Sequence, residues 1–337
     1  MSKYLYIRMN KFPNILKTPF SLTFFLSISL SFGQKSIDTV AISDLQRHLK
    51  VIASDAMEGR ETGTPGIEKA AVYLETEFKR LGLSPGNGKK YRQEYRTPEE
   101  NQKACNIVAQ IEGSTFPNEY VVVSAHYDHL GMYNGVVYNG ADDDGSGTSA
   151  LLALAEALMR LKKLGKGPKR SVVFIAFSGE EKGLWGSSYF SDHPTIPLEK
   201  VSCDINIDMI GRIDPDRRTT DTNHYVFIVG QSRLSSETQK ILRALNDNTQ
   251  QLTLDEKFDR KKDPNRIYYR SDHYNFAKKG VPVVFFYDGM LGGDYHQPTD
   301  DIDLIDWEVY HKRTNFILDF AMNLANRESL LKRDLPE

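Results

Sequence analysis

The sequence predicts an α/β fold, a three-layer sandwich whose mixed, largely parallel central sheet is flanked by helices. Six short apolar runs, 107–111, 120–125, 171–177, 204–210, 225–229 and 281–287, are rich in β-branched and aromatic residues and nearly unbroken. Strands covered by helices on both faces look like this. Helical periodicity lies between the runs, most clearly over 146–163, where Leu151, Leu154, Leu158 and Leu161 form one stripe. Strand, helix and strand in alternation indicates parallel units around one sheet.

Taken in order, residues 1–33 carry Lys3, Arg8, Lys11 and Lys17 but no acid, then a 13-residue apolar stretch, Phe20–Phe32, then Gly33. That stretch suits an export signal and is short of the ~20 residues that span a bilayer. The expectation is a signal peptide over 1–33, cleaved near Gly33, and a single catalytic domain over 34–337, periplasmic or extracellular and without a stable membrane anchor. A first helix begins near Ile42. A Gly-rich turn holding Glu58, Arg60 and Glu61 follows, read by default as solvated loop charges. A second helix packs Ala70, Ala71, Leu74, Phe78 and Leu81 on one face and stops at Gly82. Residues 84–101 read as a polar connector, 250–270 as a long charged excursion, and the chain closes with a helix from about Asp306.

Composition fits a large globular core: 337 residues, 40% hydrophobic and 11% aromatic. Without the first 33 residues, 39 basic face 45 acidic side chains, so no basic surplus points to nucleic acid. Cys105 and Cys203 are the only cysteines and belong to no thiolate metal pattern; one disulfide and two buried thiols are both open.

Chemistry collects where the apolar runs end. Run 120–125 delivers His126 and Asp128; run 171–177 delivers Glu180 and Glu181; run 204–210 carries Asp208; and run 281–287 leads to His296 and Asp300. The stretch Asn139–Gly147 adds Asp142, Asp143 and Asp144 between glycines, just before the clearest helix. Each piece alone has a plain structural explanation, such as a loop histidine or a helix-capping acid. Together they place five His- or carboxylate-bearing segments on the edge where open α/β sheets bind ligands. So many carboxylates need positive charge, and a divalent metal site supplies it. The inventory suits two ions: two histidines, two terminal carboxylates, one bridging carboxylate and one spare glutamate as base.

The ordered set His126-Tyr-Asp128, Gly140–Gly147, Gly179-Glu180-Glu181 through Ser187, Asp208-Met-Ile-Gly211, Ser271-Asp272-His273 and His296–Asp300 resembles the zinc aminopeptidases of the co-catalytic metallopeptidase family, relatives of glutamate carboxypeptidase and glutaminyl cyclases. The resemblance runs from about Asp44 to the last helix. It implies two zinc ions, although manganese or cobalt suits similar ligands. By position it makes Asp142 the bridge, with His126 and Asp208 completing one site and Glu181 and His296 the other. It makes Glu180 the general base and Asp128 the group that orients His126. The family's cis peptide would fall at Asp142-Asp143, with Asp143 supporting the loop.

A tyrosine before the Ser-Asp-His segment stabilises the oxyanion in such enzymes. Tyr268 fits that spacing better than Tyr269. Asp272 and His273 either support the site or begin a helix capped by Ser271, and His129 matches no ligand. The implied activity is hydrolysis of N-terminal residues from peptides with a free amino terminus. The alternatives are a single-zinc glutaminyl cyclase, a carboxypeptidase with Arg212, Arg266 or Arg270 as its clamp, and a non-catalytic binding protein.

Overall fold

The computed structural model describes residues 40–337 apart from Thr219 and Thr222; the expected signal peptide lies outside them. The chain runs α1 (Ile42–Ile52), α2 (Pro65–Leu81), β1 (Ser84–Pro85), β2 (Arg92–Arg96), β3 (Lys103–Ile111), β4 (Phe116–His126), β5 (Gly131–Tyr133), β6 (Val136–Tyr138), α3 (Gly147–Lys163), β7 (Arg170–Phe177), α4 (Trp185–Asp192), β8 (Val201–Ile207), β9 (Tyr225–Val229), α5 (Thr238–Asn248), β10 (Thr253–Asp255), α6 (His273–Ala277), β11 (Val283–Tyr287) and α7 (Trp307–Asn326). Among the described residues, nine strands form one mixed sheet in the order β1-β3-β7-β4-β8-β11-β9-β10, with β2 also on β3. The centre is parallel: β7, β4, β8 and β11 all point the same way. The outer pairs β3/β7 and β9/β11 are antiparallel, which makes the sheet mixed.

Alternation along the strands sets the layers, because successive side chains leave opposite faces. On β7, Val172, Phe174 and Ala176 join a core with α1, α2, α3, α5 and α7. Their neighbours Val173, Ile175 and Phe177 join a second core with Phe190 of α4 and Phe276 of α6. β11 divides likewise, with Val284 and Phe286 on the first face and Val283, Phe285 and Tyr287 on the second. These are the three layers predicted.

Local signals explain the element ends. Gly82 takes φ +84 and its amide reaches the carbonyls of Phe78 and Lys79, closing α2. Asp306 caps α7 by accepting from the amides of Glu308 and Val309. Ser271 does not cap α6; its hydroxyl accepts from Asn206 Nδ2 instead. The polar connector contains the short strands β1 and β2, and the charged excursion contains β10. Asn134-Gly135, both at positive φ, turns the β5–β6 hairpin. Cys105 and Cys203 are buried and unpaired. No helix among the described residues is long and apolar enough to cross a membrane.

Candidate metal centre

Because β7, β4, β8 and β11 are parallel, their C-terminal ends share one edge, and the chain turns there are built to hold polar groups. β4 ends on His126 itself. After β7, Gly179 takes φ +73, where a Cβ would meet Trp185 and the Tyr95 hydroxyl at 3.0 Å. That turn brings Glu180 and Glu181 to the edge. Thr62 holds it: its hydroxyl accepts from the Gly179 amide at 2.9 Å and donates to Asp128 Oδ2 at 3.1 Å. Asp128 Oδ1 in turn accepts from the Glu180 amide at 3.2 Å.

The acidic stretch folds as the tight turn Ala141–Ser146, in which Asp143 (φ −101°, ψ 101°) and Asp144 (φ −112°, ψ 45°) leave the helical region. Its three carboxylates therefore point three ways. Asp142, expected at the centre, is turned aside: its Oδ1 accepts from the Gly211 amide at 2.8 Å and lies against Asp288. Asp144 is occupied by backbone, accepting from the amides of His126 (3.1 Å), Gly147 (2.8 Å) and Met209 (3.1 Å). Asp143 takes the central place. Its Oδ1 lies 3.3 Å from His126 Nε2 and its Oδ2 3.1 Å from His296 Nε2. The cis peptide is likewise Asp143-Asp144, one residue beyond the expected Asp142-Asp143.

Around that carboxylate the remaining donors form two groups. Asp208 Oδ1 lies 3.6 Å and Glu180 Oε2 3.9 Å from His126 Nε2. Glu181 Oε2 lies 3.1 Å from His296 Nε2, and its Oε1 lies 2.9 Å from His129 Nδ1. His129 is thus a member that its sequence context did not reveal. His126 Nδ1 sits 3.1 Å from the main-chain oxygen of Asp128, closer than the 3.6 Å to that residue's carboxylate. Asp128 fixes the imidazole mainly through its carbonyl, and its carboxylate fixes Glu180. Asp272 is fully buried nearby, pushed up to about 7 mainly by burial.

Two more supports come from distant segments. Arg60, expected as a loop charge, is fully buried and donates to the carbonyls of Ile52, Tyr127, Asn139 and Gly140, clamping the approach to the acidic turn. Asp300 accepts from the amides of Asp142 and Asp143 at 3.0–3.1 Å.

Tyr268 and Tyr269 do not line this cavity. Its walls are Met209, Ile267, Arg270, Phe285, Tyr287, Leu291 and Tyr295, beside His126, Asp143, Glu180 and Asp208. The reason is local: Ile267–Tyr269 is a 3₁₀ turn, so Ile267 and Arg270 share a face and the two tyrosines leave by others. Of the two phenols in the wall, Tyr287 donates to the Met290 carbonyl at 2.6 Å, whereas Tyr295 is stacked on His296 at 3.9 Å and accepts from Arg270 Nη2 at 3.2 Å. A larger cleft of about 940 Å³, beside the start of α2 and β2, holds none of the clustered groups.

The electrostatics call for a cation. Burial, with the carboxylates of Glu181 and Asp208, holds Glu180 well above the ordinary carboxylate range. Burial acts the same way on Asp143, but His126 and His296 override it and hold that carboxyl well below the range. His296 is raised to about 10 by Asp143 and Glu181 against its burial. Buried Asp143 Oδ2 and His296 Nε2 make no well-formed hydrogen bond although they face one another. Nitrogen and carboxylate oxygen donors converging in two groups that share one carboxylate are a donor set that fits divalent zinc. The groups His126/Asp144/Asp208 and His129/Asp143/Glu181 each bring three donor atoms within 4.8 Å of one another. In the first, Asp144's backbone bonds leave Asp143 the better-placed partner of His126.

Fold and cluster together define an α/β protein of the metallopeptidase class. The model of peptidase family M28 matches residues 106–321, and the chain belongs to that family. It is 30% identical over 233 residues to a probable leucine aminopeptidase of Arthroderma otae, covering 67% of this chain and 59% of that one. It is 29% identical over 209 residues to a probable zinc metalloprotease of Pyrenophora tritici-repentis, covering 58% and 46%. The chain thus spans about half the length of the curated relatives it matches. Among solved structures, the LapA aminopeptidase of Legionella pneumophila superposes with a TM-score of 0.66 at 21% identity, over 87% of this chain and 74% of that one. BSAP, a zinc aminopeptidase from Bacillus subtilis, gives 0.65 at 17%, over 88% and 98%. A glutaminyl cyclase of Porphyromonas gingivalis gives 0.61 at 18%, over 84% and 98%.

Proposed function

We propose that this chain is an exported di-zinc exopeptidase, a single catalytic domain that removes N-terminal residues from peptides. The observation that carries the reading is the position of Asp143, whose two carboxylate oxygens face two histidines from different segments. In this reading two zinc ions would be held by Asp143 in the central role, with His126 and Asp208 on one side of it and Glu181 and His296 on the other. Asp143 replaces Asp142 in that role, because Asp142 is committed to the Gly211 amide. Bound zinc would polarise the scissile carbonyl and make water acidic enough to attack at neutral pH.

Glu180 takes the proton from the attacking water and delivers it to the leaving amine. Its main chain is held by Asp128, and Asp128 by Thr62, so the base is aimed by a chain of hydrogen bonds. The apolar walls Met209, Ile267, Phe285 and Leu291 accept the substrate's N-terminal side chain, and the surrounding carboxylates favour its free ammonium group. Tyr295, held by Arg270, takes the oxyanion role in place of Tyr268.

The test is a set of aminoacyl fluorogenic substrates, each with an N-blocked counterpart, assayed with and without chelator alongside metal analysis. Cleavage restricted to free amino termini, lost with chelator, at two metals per chain supports the reading. Cleavage of blocked substrates only, or full activity at one zinc as a glutaminyl cyclase would show, overturns it.

A further inference from the structure

A second polar cavity, of about 300 Å³, opens beside the same 3₁₀ turn. Five cationic side chains line it, Arg233, Arg260, Lys261, Lys262 and Arg266, against one carboxylate, Asp263. Asp263 is already engaged, accepting from the amides of Asn265 at 3.1 Å and Ile267 at 2.9 Å. Among the described residues, Arg260, Lys261, Lys262 and Arg266 have no carboxylate within ion-pair distance; Arg266 lies over the Tyr269 ring at 5.0 Å.

The buried end of the cavity is formed by Arg233 and Tyr268. Arg233 is 6% exposed, and its guanidinium lies 3.6 Å from the centre of the Tyr268 ring. Of its five N–H donors, Nη2 reaches the Asp259 carbonyl at 3.3 Å. Nε, 3.8 Å from Asp259 Oδ1, has no hydrogen-bond partner, and neither has the buried Tyr268 hydroxyl. Asp259 itself is divided between the Gly230 amide and the Ser232 hydroxyl. The exposed Glu337 carboxylate is close enough to act electrostatically on Tyr268 and Tyr274. The five cations outnumber the acids near them, Asp263 being spent on backbone amides and Asp259 shared among Gly230, Ser232 and a 3.8 Å ion pair with Arg233, and burying Arg233 on a tyrosine ring leaves donor capacity that an anion satisfies.

We infer that this cavity binds an oxyanion, a carboxylate or phosphate group, with Arg233 as its buried anchor and Lys261 and Lys262 at its mouth. The group can belong to a free phosphate or to an acidic side chain of a bound peptide. The site is separate from the metal centre, and the inference does not depend on the peptidase reading.

The experiment is calorimetric titration of the full chain, at constant ionic strength, with inorganic phosphate and with an acetylated, amidated tri-glutamate peptide. Saturable binding below about 10 mM, weakened about tenfold or more in Arg233→Met and in the Lys261→Ser/Lys262→Ser pair, is the expected result. Phosphate that competes with the peptide identifies a shared oxyanion site. Binding by only one probe, with the same loss in the variants, identifies which source the site takes. The surface pair keeps the test decisive if Arg233→Met fails to fold. Absence of saturable binding by either probe, or equal binding by wild type and the Lys261/Lys262 variant, overturns the inference.

Discussion

Two clusters of charge in this molecule are built on opposite principles. Between α1, α2 and α3, the carboxylates Glu77 and Glu156 meet Arg47 and Arg80 at 2.5–3.2 Å, so each acid has a guanidinium and the network is electrically closed. At the sheet edge, Asp142, Asp143, Asp144, Asp208, Asp288 and Asp300 are all at least nine-tenths buried. They share three histidines; among the described residues, guanidinium groups reach only the flanking acids, Arg313 at 3.9 Å from Asp288 and Arg212 at 3.9 Å from Asp300, and the fully buried Arg60 at the turn donates to carbonyls rather than to the acids. A closed network stabilises modestly and asks for nothing. The open one is costly unless a cation joins it, which is the physical argument for a metal.

The contrast breaks most sharply at Glu180. If it is the base, Glu180→Gln lowers kcat on the order of 10³-fold while metal content and KM stay near wild type. An enzyme that keeps a tenth or more of its kcat would not be using this residue as its base. Next comes the acidic turn. Asp143→Asn is expected to lose both metals by elemental analysis, whereas Asp142→Asn and Asp144→Asn keep them, their oxygens being bound to backbone amides. Metal loss in Asp142→Asn with retention in Asp143→Asn would assign the central role to Asp142.

Why Asp143 rather than Asp142 faces the two histidines is instructive. The run Asp142-Asp143-Asp144 offers three identical side chains, and their different directions arise from non-helical dihedrals at Asp143 and Asp144 that no spacing encodes. Strand-end residues were easier to read, because an apolar run fixes its own end: His126 closes β4, and Asp208 follows β8 at once. Tyr268 stays out of the cavity wall for a local reason, the three-residue period of its turn. Arg60, Thr62 and Asp300 act on groups 66 to 158 residues away, apart from Arg60's local bond to Ile52. One sequence carries no mark of such pairing. The layers were legible from the apolar runs, while β2 and β10 were not, being short, polar and at or near the sheet margin.

Arg60 also sharpens the comparison, since it supports the open cluster without neutralising it. Arg60→Met strips partners from four buried carbonyls and is expected to cost about 3 kcal/mol in urea unfolding, in the metal-free protein as well as the loaded one. A loss confined to the loaded protein would mean that Arg60 acts on metal binding rather than on the fold.

The smallest effect belongs to the closed network, and its sign can be worked out. His48, with Arg47 and Arg80, holds the Glu156 carboxyl down to about 2 against partial burial, so its folded value lies below the unfolded one of 4.5. Its stabilisation is therefore complete above about pH 4.5 and declines as pH falls toward about 2. Because Arg47 and Arg80 are 41% and 46% exposed, solvent screens much of the gain, and Glu156→Gln should cost only ~1 kcal/mol at neutral pH. In urea unfolding from pH 6 to 3.5, wild type should lose stability faster than the variant, and the gap between them should narrow. A gap that is constant over that range would assign the difference to packing, because a glutamine has no proton to gain.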